Sequence, residues 1–199
     1  MSETDAPAAP GPAGNGLEAR ITSTPALATR ALASRARSAY RSGRNGRLVV
    51  LVDGRSGTGK TTLGTALAGE LDATIVHLDD VYPGWDGLQA AADAVVRDVL
   101  GVPSGYRRWD WGRSEPADWV PLDAAAPLVI EGCGALSRAS APLASFRVWL
   151  TAEEGERRRR ALDRDGEVFA RQWDRWARQE EAFIASEMPQ TLADEVLRS

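Results

Sequence analysis

Apolar residues follow two rhythms along this chain. In the first they run without interruption, as in Arg47-Leu48-Val49-Val50-Leu51-Val52-Asp53, Thr74 to Leu78, Pro127-Leu128-Val129-Ile130-Glu131 and Phe146 to Leu150. A short apolar run without polar alternation reads as a strand covered on both faces, which is the environment of a parallel sheet. In the second rhythm apolar residues recur at three and four positions. Leu27, Ala28, Ala31 and Leu32 do so within Pro25 to Ser42, and Phe169, Trp173, Trp176, Phe183 and Ile184 do so within Glu167 to Glu187. That spacing predicts helices with one apolar stripe. Further helices are predicted from Lys60 to Leu71, Leu88 to Leu100 and Glu153 to Arg164, and Ala193 to Leu197 starts a fifth strand. Strands alternating with helices predict an α/β fold, a five-stranded parallel sheet flanked by helices. With the phosphate-loop motif of residues 54–61 taken into account, the expected strand order is 2-3-1-4-5 in chain order.

Two stretches break these rhythms. Met1 to Gly16 is rich in Ala, Pro and Gly and offers little apolar surface to offset the entropy of ordering, so residues 1–16 read as a disordered tail and 17–199 as one domain. Gly101 to Pro121, with Gly, Pro and three Trp residues, reads as irregular. Composition narrows the function. A net charge of −4 supplies no positive field for nucleic acid. One cysteine, Cys133, excludes an internal disulfide and a multi-cysteine metal site. No secretory start is visible, and no apolar stretch nears the roughly 20 residues that span a bilayer. The expectation is a cytoplasmic protein with neither nucleic acid nor membrane as partner.

The segment Gly54-Arg55-Ser56-Gly57-Thr58-Gly59-Lys60-Thr61 meets the pattern G-x-x-x-x-G-K-[ST], with Thr62 following. Glycines let backbone N–H groups turn inward around a phosphate, and the helix starting at Lys60 adds its positive dipole end. Lys60 is expected to reach the β- and γ-phosphates of ATP and the Thr61 hydroxyl to ligate Mg2+. Strand, loop and helix follow in the order the motif requires.

Two acidic sites stand where the next strands end. Asp79-Asp80 closes the second strand and Glu131 the third, and active residues of open α/β sheets gather at such ends. In a small kinase one acid accepts the proton of the attacking hydroxyl while another organises magnesium. An acid so soon after the loop suits the first task and Glu131 the second. Adjacent residues at a strand end point apart, so one of Asp79 and Asp80 faces the phosphates, and either could instead cap a turn. Arg157, Arg160 and Arg164 recur at i, i+3 and i+7 and share a helix face. Such a face can clamp phosphate oxygens, or be a solvated face paired with Glu153, Glu154, Glu156 and Asp163. Gly166 would let the segment hinge as a lid. Tyr82, Trp85, Trp109 and Trp111 could stack on a planar acceptor, with Asp110 holding a hydroxyl, or could pack into the core. The aromatic stripe of the last long helix reads as core, but Glu180 within it must find a partner or point into a polar site. His77 reads as a core or near-site residue.

Three segments together resemble the uridine kinase and phosphoribulokinase-like branch of P-loop kinases. They are Val52 to Leu63, Leu78-Asp79-Asp80-Val81-Tyr82, and Val129-Ile130-Glu131-Gly132. The resemblance implies that Asp79 is the catalytic aspartate and that Tyr82 follows it in the family's D-x-[FVL]-Y segment. It places Trp109-Asp110-Trp111 on the segment that shapes the acceptor pocket, Arg157 to Asp165 on the Arg-rich lid, and Ala193-Asp194 with Val196 on the last strand. It spans most of residues 47–197. Family members carry Tyr-Asp-Phe where this chain has Trp-Asp-Trp, and Gly112-Arg113-Ser114-Glu115 offers one basic residue where the family has a set.

The sequence therefore predicts a single P-loop domain that transfers the γ-phosphoryl group of ATP to a hydroxyl of a small metabolite, with a nucleoside as the acceptor the resemblance implies. Lys60, Asp79, Arg160 and Arg164 are the expected catalytic residues. The loop with Arg157 would hold the donor, and Thr61 and Glu131 the metal. Asp80, Tyr82, Trp85, Trp109, Asp110 and Trp111 would meet the acceptor. A kinase for a sugar, a vitamin precursor or a nucleotide, and a nucleotide-binding regulator, remain as alternatives.

Overall fold

The computed structural model describes residues 25–43 and 46–199; the tail expected at 1–16 lies outside the described residues. The chain runs α1 (Pro25–Ser42), β1 (Val49–Gly54), α2 (Lys60–Leu71), β2 (Thr74–His77) and α3 (Leu88–Ala94), then β3 (Gly105–Asp110) and β4 (Glu115–Pro121). It continues through β5 (Leu128–Glu131), β6 (Phe146–Thr151), α4 (Glu154–Ala170), α5 (Trp173–Glu187), α6 (Pro189–Leu192) and β7 (Glu195–Arg198). Among the described residues five strands form a parallel sheet in the order β2-β5-β1-β6-β7, which is the expected 2-3-1-4-5.

The uninterrupted apolar runs are explained by this sheet. The pleat sends Val49 and Leu51 of β1 to one layer, with Leu128, Ile130 and Val76, where residues of α3 and α5 close the core. Val50 and Val52 face the other layer with Val129, Val148 and residues of α1 and α2. Both faces exclude water, so alternation would leave a polar residue buried. Each fully buried Val or Leu contributes roughly 1.5–3 kcal/mol relative to exposure. Because the strands run parallel, their carboxyl ends share one edge: His77 lies opposite Glu131, and Glu131 opposite Val52, one residue before Asp53.

Four expectations are corrected. Gly101 to Pro121 is not irregular: β3 and β4 pair antiparallel as a two-stranded hairpin, with a register shift between Arg107 and Trp109. The bulge spoils the alternation that would have announced a strand. Buried Arg47 pins both ends of this excursion to the start of β1, donating to the Val99 and Asp123 carbonyls at 2.9 Å each and to Ser104 Oγ at 3.2 Å. The second strand stops at His77, and Leu78–Asp80 form a 3-10 turn. The helix begun at Leu88 changes to a π turn over Val95–Val99. The helix from Glu154 runs on to Ala170 across a break at Gly166 (φ 64°, ψ −152°), a conformation open to glycine alone, and the final long helix starts at Trp173.

Candidate active site

The loop between β1 and α2 is shaped by backbone that side chains would block. Gly57 sits at φ 81°, and a Cβ there would drive into the Arg157 carbonyl of α4. The Lys60 ammonium is buried and donates to the Arg55 carbonyl at 3.0 Å, and Thr58 Oγ1 donates to the same oxygen at 2.8 Å. Burial works against the Lys60 charge. The Cys133 sulfur and the carboxylates of Glu180, Glu131 and Asp53 outweigh it and hold the pKa above the ordinary lysine value. Lys60 is thus a committed cation at the start of a helix whose first N–H groups have no intrahelical acceptor.

Two buried carboxylates brace this loop, and motif spacing does not reveal either. Asp53 ends the apolar run of β1. Its Oδ1 accepts from the Gly54 N–H at 2.6 Å and the Gly134 N–H at 3.2 Å, and its Oδ2 from the Leu136 N–H at 2.8 Å. Burial pushes its carboxyl up to about 7 against the pull of those donors and of Lys60. Glu180 comes from the middle of α5 and is 4% exposed. Its Oε1 accepts from the Ser56 N–H at 2.7 Å and its Oε2 from Arg55 Nε at 3.0 Å. Burial opposes its charge, but the Ser56 N–H, Lys60 and Arg55 outweigh burial and lower its pKa below the usual glutamate value. The odd acid of the aromatic stripe therefore has its partners in the phosphate loop. Cys133 lies between them, donating to the Gly54 carbonyl at 3.4 Å; burial pushes its thiol up to about 12, so it is no nucleophile.

Beside the loop a cavity of about 360 Å³ is lined by Ser56, Gly57, Lys60 and Thr61 on one side and by Asp79, Glu131 and Arg164 on others. Glu131 is 2% exposed, and its Oε1 lies 2.6 Å from His77 Nδ1. His77, the neighbour in register, orients the carboxylate as an outer partner of the site. Asp79 is open to the cavity. Loss of surrounding water and the Glu131 carboxylate raise its pKa above the ordinary aspartate value, and Lys60 and Arg164 pull it back only in part. The far wall is aromatic. Trp85 stacks on Phe169 with ring centroids 5.6 Å apart and meets Trp111 at 5.0 Å, and Tyr82 meets Trp176 edge-on at 4.7 Å. The Trp111 indole donates to the Asp79 carbonyl at 2.8 Å, and the Tyr82 hydroxyl to the Cys133 carbonyl at 2.8 Å.

Several expected residues are placed elsewhere. Asp80 does not line this cavity; across the 3-10 turn from Asp79, its charge acts on the Tyr106 hydroxyl. Trp109 lies on the other side of the hairpin, in a shallow cavity with Val81, Pro83 and Arg107. Asp110 is occupied in closing the hairpin turn, its Oδ1 accepting from the Gly112 N–H at 2.9 Å and the Arg113 N–H at 3.0 Å. The three arginines of one helix face meet different neighbours. Arg157 is buried behind the loop and donates to the Ser56 carbonyl at 3.1 Å. Arg160 pairs with Glu156 at 2.7 Å and Ser199 Oγ at 3.0 Å. Arg164 reaches the cavity, with its fork on Asp165 at 2.7 and 2.8 Å. Phe169 and Trp176, read from sequence as core, are core residues that also form the cavity wall.

Arg160 and Thr62 border a second, more apolar groove of about 820 Å³ with Thr58 and Gly59, between α1, α2 and the end of β7. No helix among the described residues is long and apolar enough to cross a membrane.

A parallel sheet with a glycine-bent loop at the carboxyl end of its central strand, followed by a helix beginning at a buried lysine, defines the P-loop class of α/β folds. No family model matches the chain, and neither does any curated protein sequence. Solved structures similar to it include two that carry kinase names. A possible uridine kinase from Bacillus stearothermophilus is 20% identical at a TM-score of 0.58, covering 86% of this chain and 98% of its own. A candidate fructose transport system kinase from Silicibacter sp. TM1040 is 19% identical at 0.59, covering 84% and 98%. At these identities the likeness carries the fold, and the chain has the fold of the P-loop kinases.

Proposed function

We propose that this protein transfers the γ-phosphoryl group of ATP to a hydroxyl of a small metabolite. The observation that carries the reading is one cavity that joins Lys60 and Thr61 of the loop to Asp79, Glu131 and an aromatic wall. The loop backbone and Lys60 suit the β- and γ-phosphates, and the apolar groove beside Gly59 and Thr62 suits a flat base. The Thr61 hydroxyl and the Glu131 carboxylate, one of them held by His77, are the oxygen donors that would hold magnesium, which when bound neutralises phosphate charge. Asp79 orients the acceptor hydroxyl and takes its proton, and Arg164 stabilises charge on the moving group. Arg157 supports the loop from behind. Both structural neighbours carry kinase names, and an acceptor with a planar ring, as in a nucleoside, matches the aromatic wall and the uridine kinase name of one of them.

Asp79→Asn tests this reading. Transfer measured as ADP release should fall by about 10²–10⁴-fold while nucleotide binding stays near that of the parent. In the parent, kcat/KM should fall as pH is lowered through the raised pKa of Asp79, since only the carboxylate accepts a proton. Transfer that survives Asp79→Asn would exclude Asp79 as the base.

A further inference from the structure

The acceptor half of the cavity has an unusual charge inventory. Among the described residues the cations lining the cavity are Lys60 and Arg164. Lys60 belongs to the phosphate loop, and Arg164 is held on both prongs of its fork by Asp165. Arg113, two residues after Trp111, is paired with Glu115 at 2.8 Å, and Arg175, next to Trp176, with Asp86. With Asp165 spent on Arg164, the remaining charge facing the cavity is negative, from Asp79 and Glu131. The wall opposite is Trp85, Trp111 and Phe169, whose ring faces are themselves the negative side of a quadrupole.

We infer that the acceptor is an alcohol with a flat apolar face that carries no anionic group. The inference rests on the phosphotransfer reading of the same cavity and narrows it. A phosphate or carboxylate on the acceptor would lie beside the carboxylates of Asp79 and Glu131 and an aromatic wall, with Lys60 taken by the donor phosphates and Arg164 already held by Asp165, and would be desolvated as it entered. Nucleotides, sugar phosphates and hydroxy acids such as pantothenate are therefore excluded. A nucleoside, or another ring alcohol that is neutral or bears an amine, satisfies the wall by stacking while its hydroxyl meets Asp79.

The test uses pairs matched in shape and differing in charge, with the hydroxyls left free: 5-carbamoyluridine against 5-carboxyuridine, and 4-(hydroxymethyl)benzamide against 4-(hydroxymethyl)benzoate. Binding is read from quenching of tryptophan fluorescence in the full chain loaded with magnesium and a non-hydrolysable ATP analogue, and turnover from ADP release with ATP. The neutral member of a pair should bind at least about tenfold tighter. Trp111→Lys, which puts a cation on a partly exposed position of the wall, should narrow that gap about tenfold, whereas Trp111→Gln should weaken the neutral member and leave the anion as poor as before. An anionic member that binds as well as its neutral partner overturns the inference, as does an unchanged ratio in Trp111→Lys or silence from every neutral ring compound at millimolar concentration. Quenching by neutral members with no ADP release from any acceptor supports the chamber and refutes the phosphotransfer reading instead.

Discussion

Glu180 shows what a single side chain can decide. It lies at the middle of α5 and outside any motif, yet its two oxygens hold the Ser56 N–H and Arg55. Replacing it with Ala leaves a buried N–H and a half-buried guanidinium without their acceptor, and an unmet buried group costs about 1–3 kcal/mol. Glu180→Ala should therefore weaken binding of magnesium–nucleotide by about 5- to 150-fold in calorimetric titration. Glu180→Gln keeps an acceptor for Ser56 but loses the charge facing Arg55, and should fall between Ala and the parent. Equal affinity in all three proteins would show that the clamp does not shape the loop. Asp79 and Asp80 make the companion point: adjacent identical residues have opposite surroundings because the turn after β2 directs one to the cavity and the other toward Tyr106.

At the scale of elements, the phosphate loop is held by more than its own glycines. Arg157 of α4 donates to the Ser56 carbonyl, and its own carbonyl occupies the space a Gly57 side chain would need. Gly57→Ala adds a methyl group where φ is 81° and the neighbour is rigid backbone. Strain of this kind costs about 1–3 kcal/mol. The variant should lose that stability in urea unfolding and bind nucleotide poorly; a parent-like midpoint and affinity would mean that α4 moves aside readily. The arginine helix illustrates a limit of periodicity. Spacing at i, i+3 and i+7 puts Arg157, Arg160 and Arg164 on one face, but each turn of that face meets a different neighbour: the Ser56 carbonyl, Ser199 and the cavity. The hairpin of β3 and β4 is a second such case. Its bulge hid the strands from the sequence pattern, and its turn consumed Asp110 as a cap.

At the scale of the molecule, the cavity joins residues from the loop after β1, α2, the turn after β2, β5, the hairpin, α4 and α5, so its occupation should tighten the whole fold. A ligand that binds the native state alone adds about 2.7 kcal/mol at a hundred times its dissociation constant. Magnesium–ATP analogue at that level should raise the thermal midpoint of the parent in differential scanning calorimetry and leave that of Lys60→Ala nearly unmoved. A shift of equal size in both proteins would place the nucleotide away from this loop. The strands, the loop and the acids at the strand ends were legible in the sequence because each depends on local spacing or on burial of an unbroken apolar run, whereas the sheet order was expected from the phosphate-loop motif. Trp109 and Trp111 were not separable there, since residues two apart in sequence are told apart only by where a bulge and a turn send them.

The chain by itself determined that a triphosphate-shaped loop follows a buried strand, since glycine conformation and a helix start are properties of consecutive residues. Tertiary structure alone decided the acceptor chamber. Trp85, Trp111 and Phe169 come from distant segments, and the direction of a side chain depends on packing across the fold, which no local pattern encodes. The same holds for one ion pair beside them: Arg175 of α5 meets Asp86, 89 residues away in the chain, whereas Arg164 with Asp165 and Arg113 with Glu115 join near neighbours in sequence.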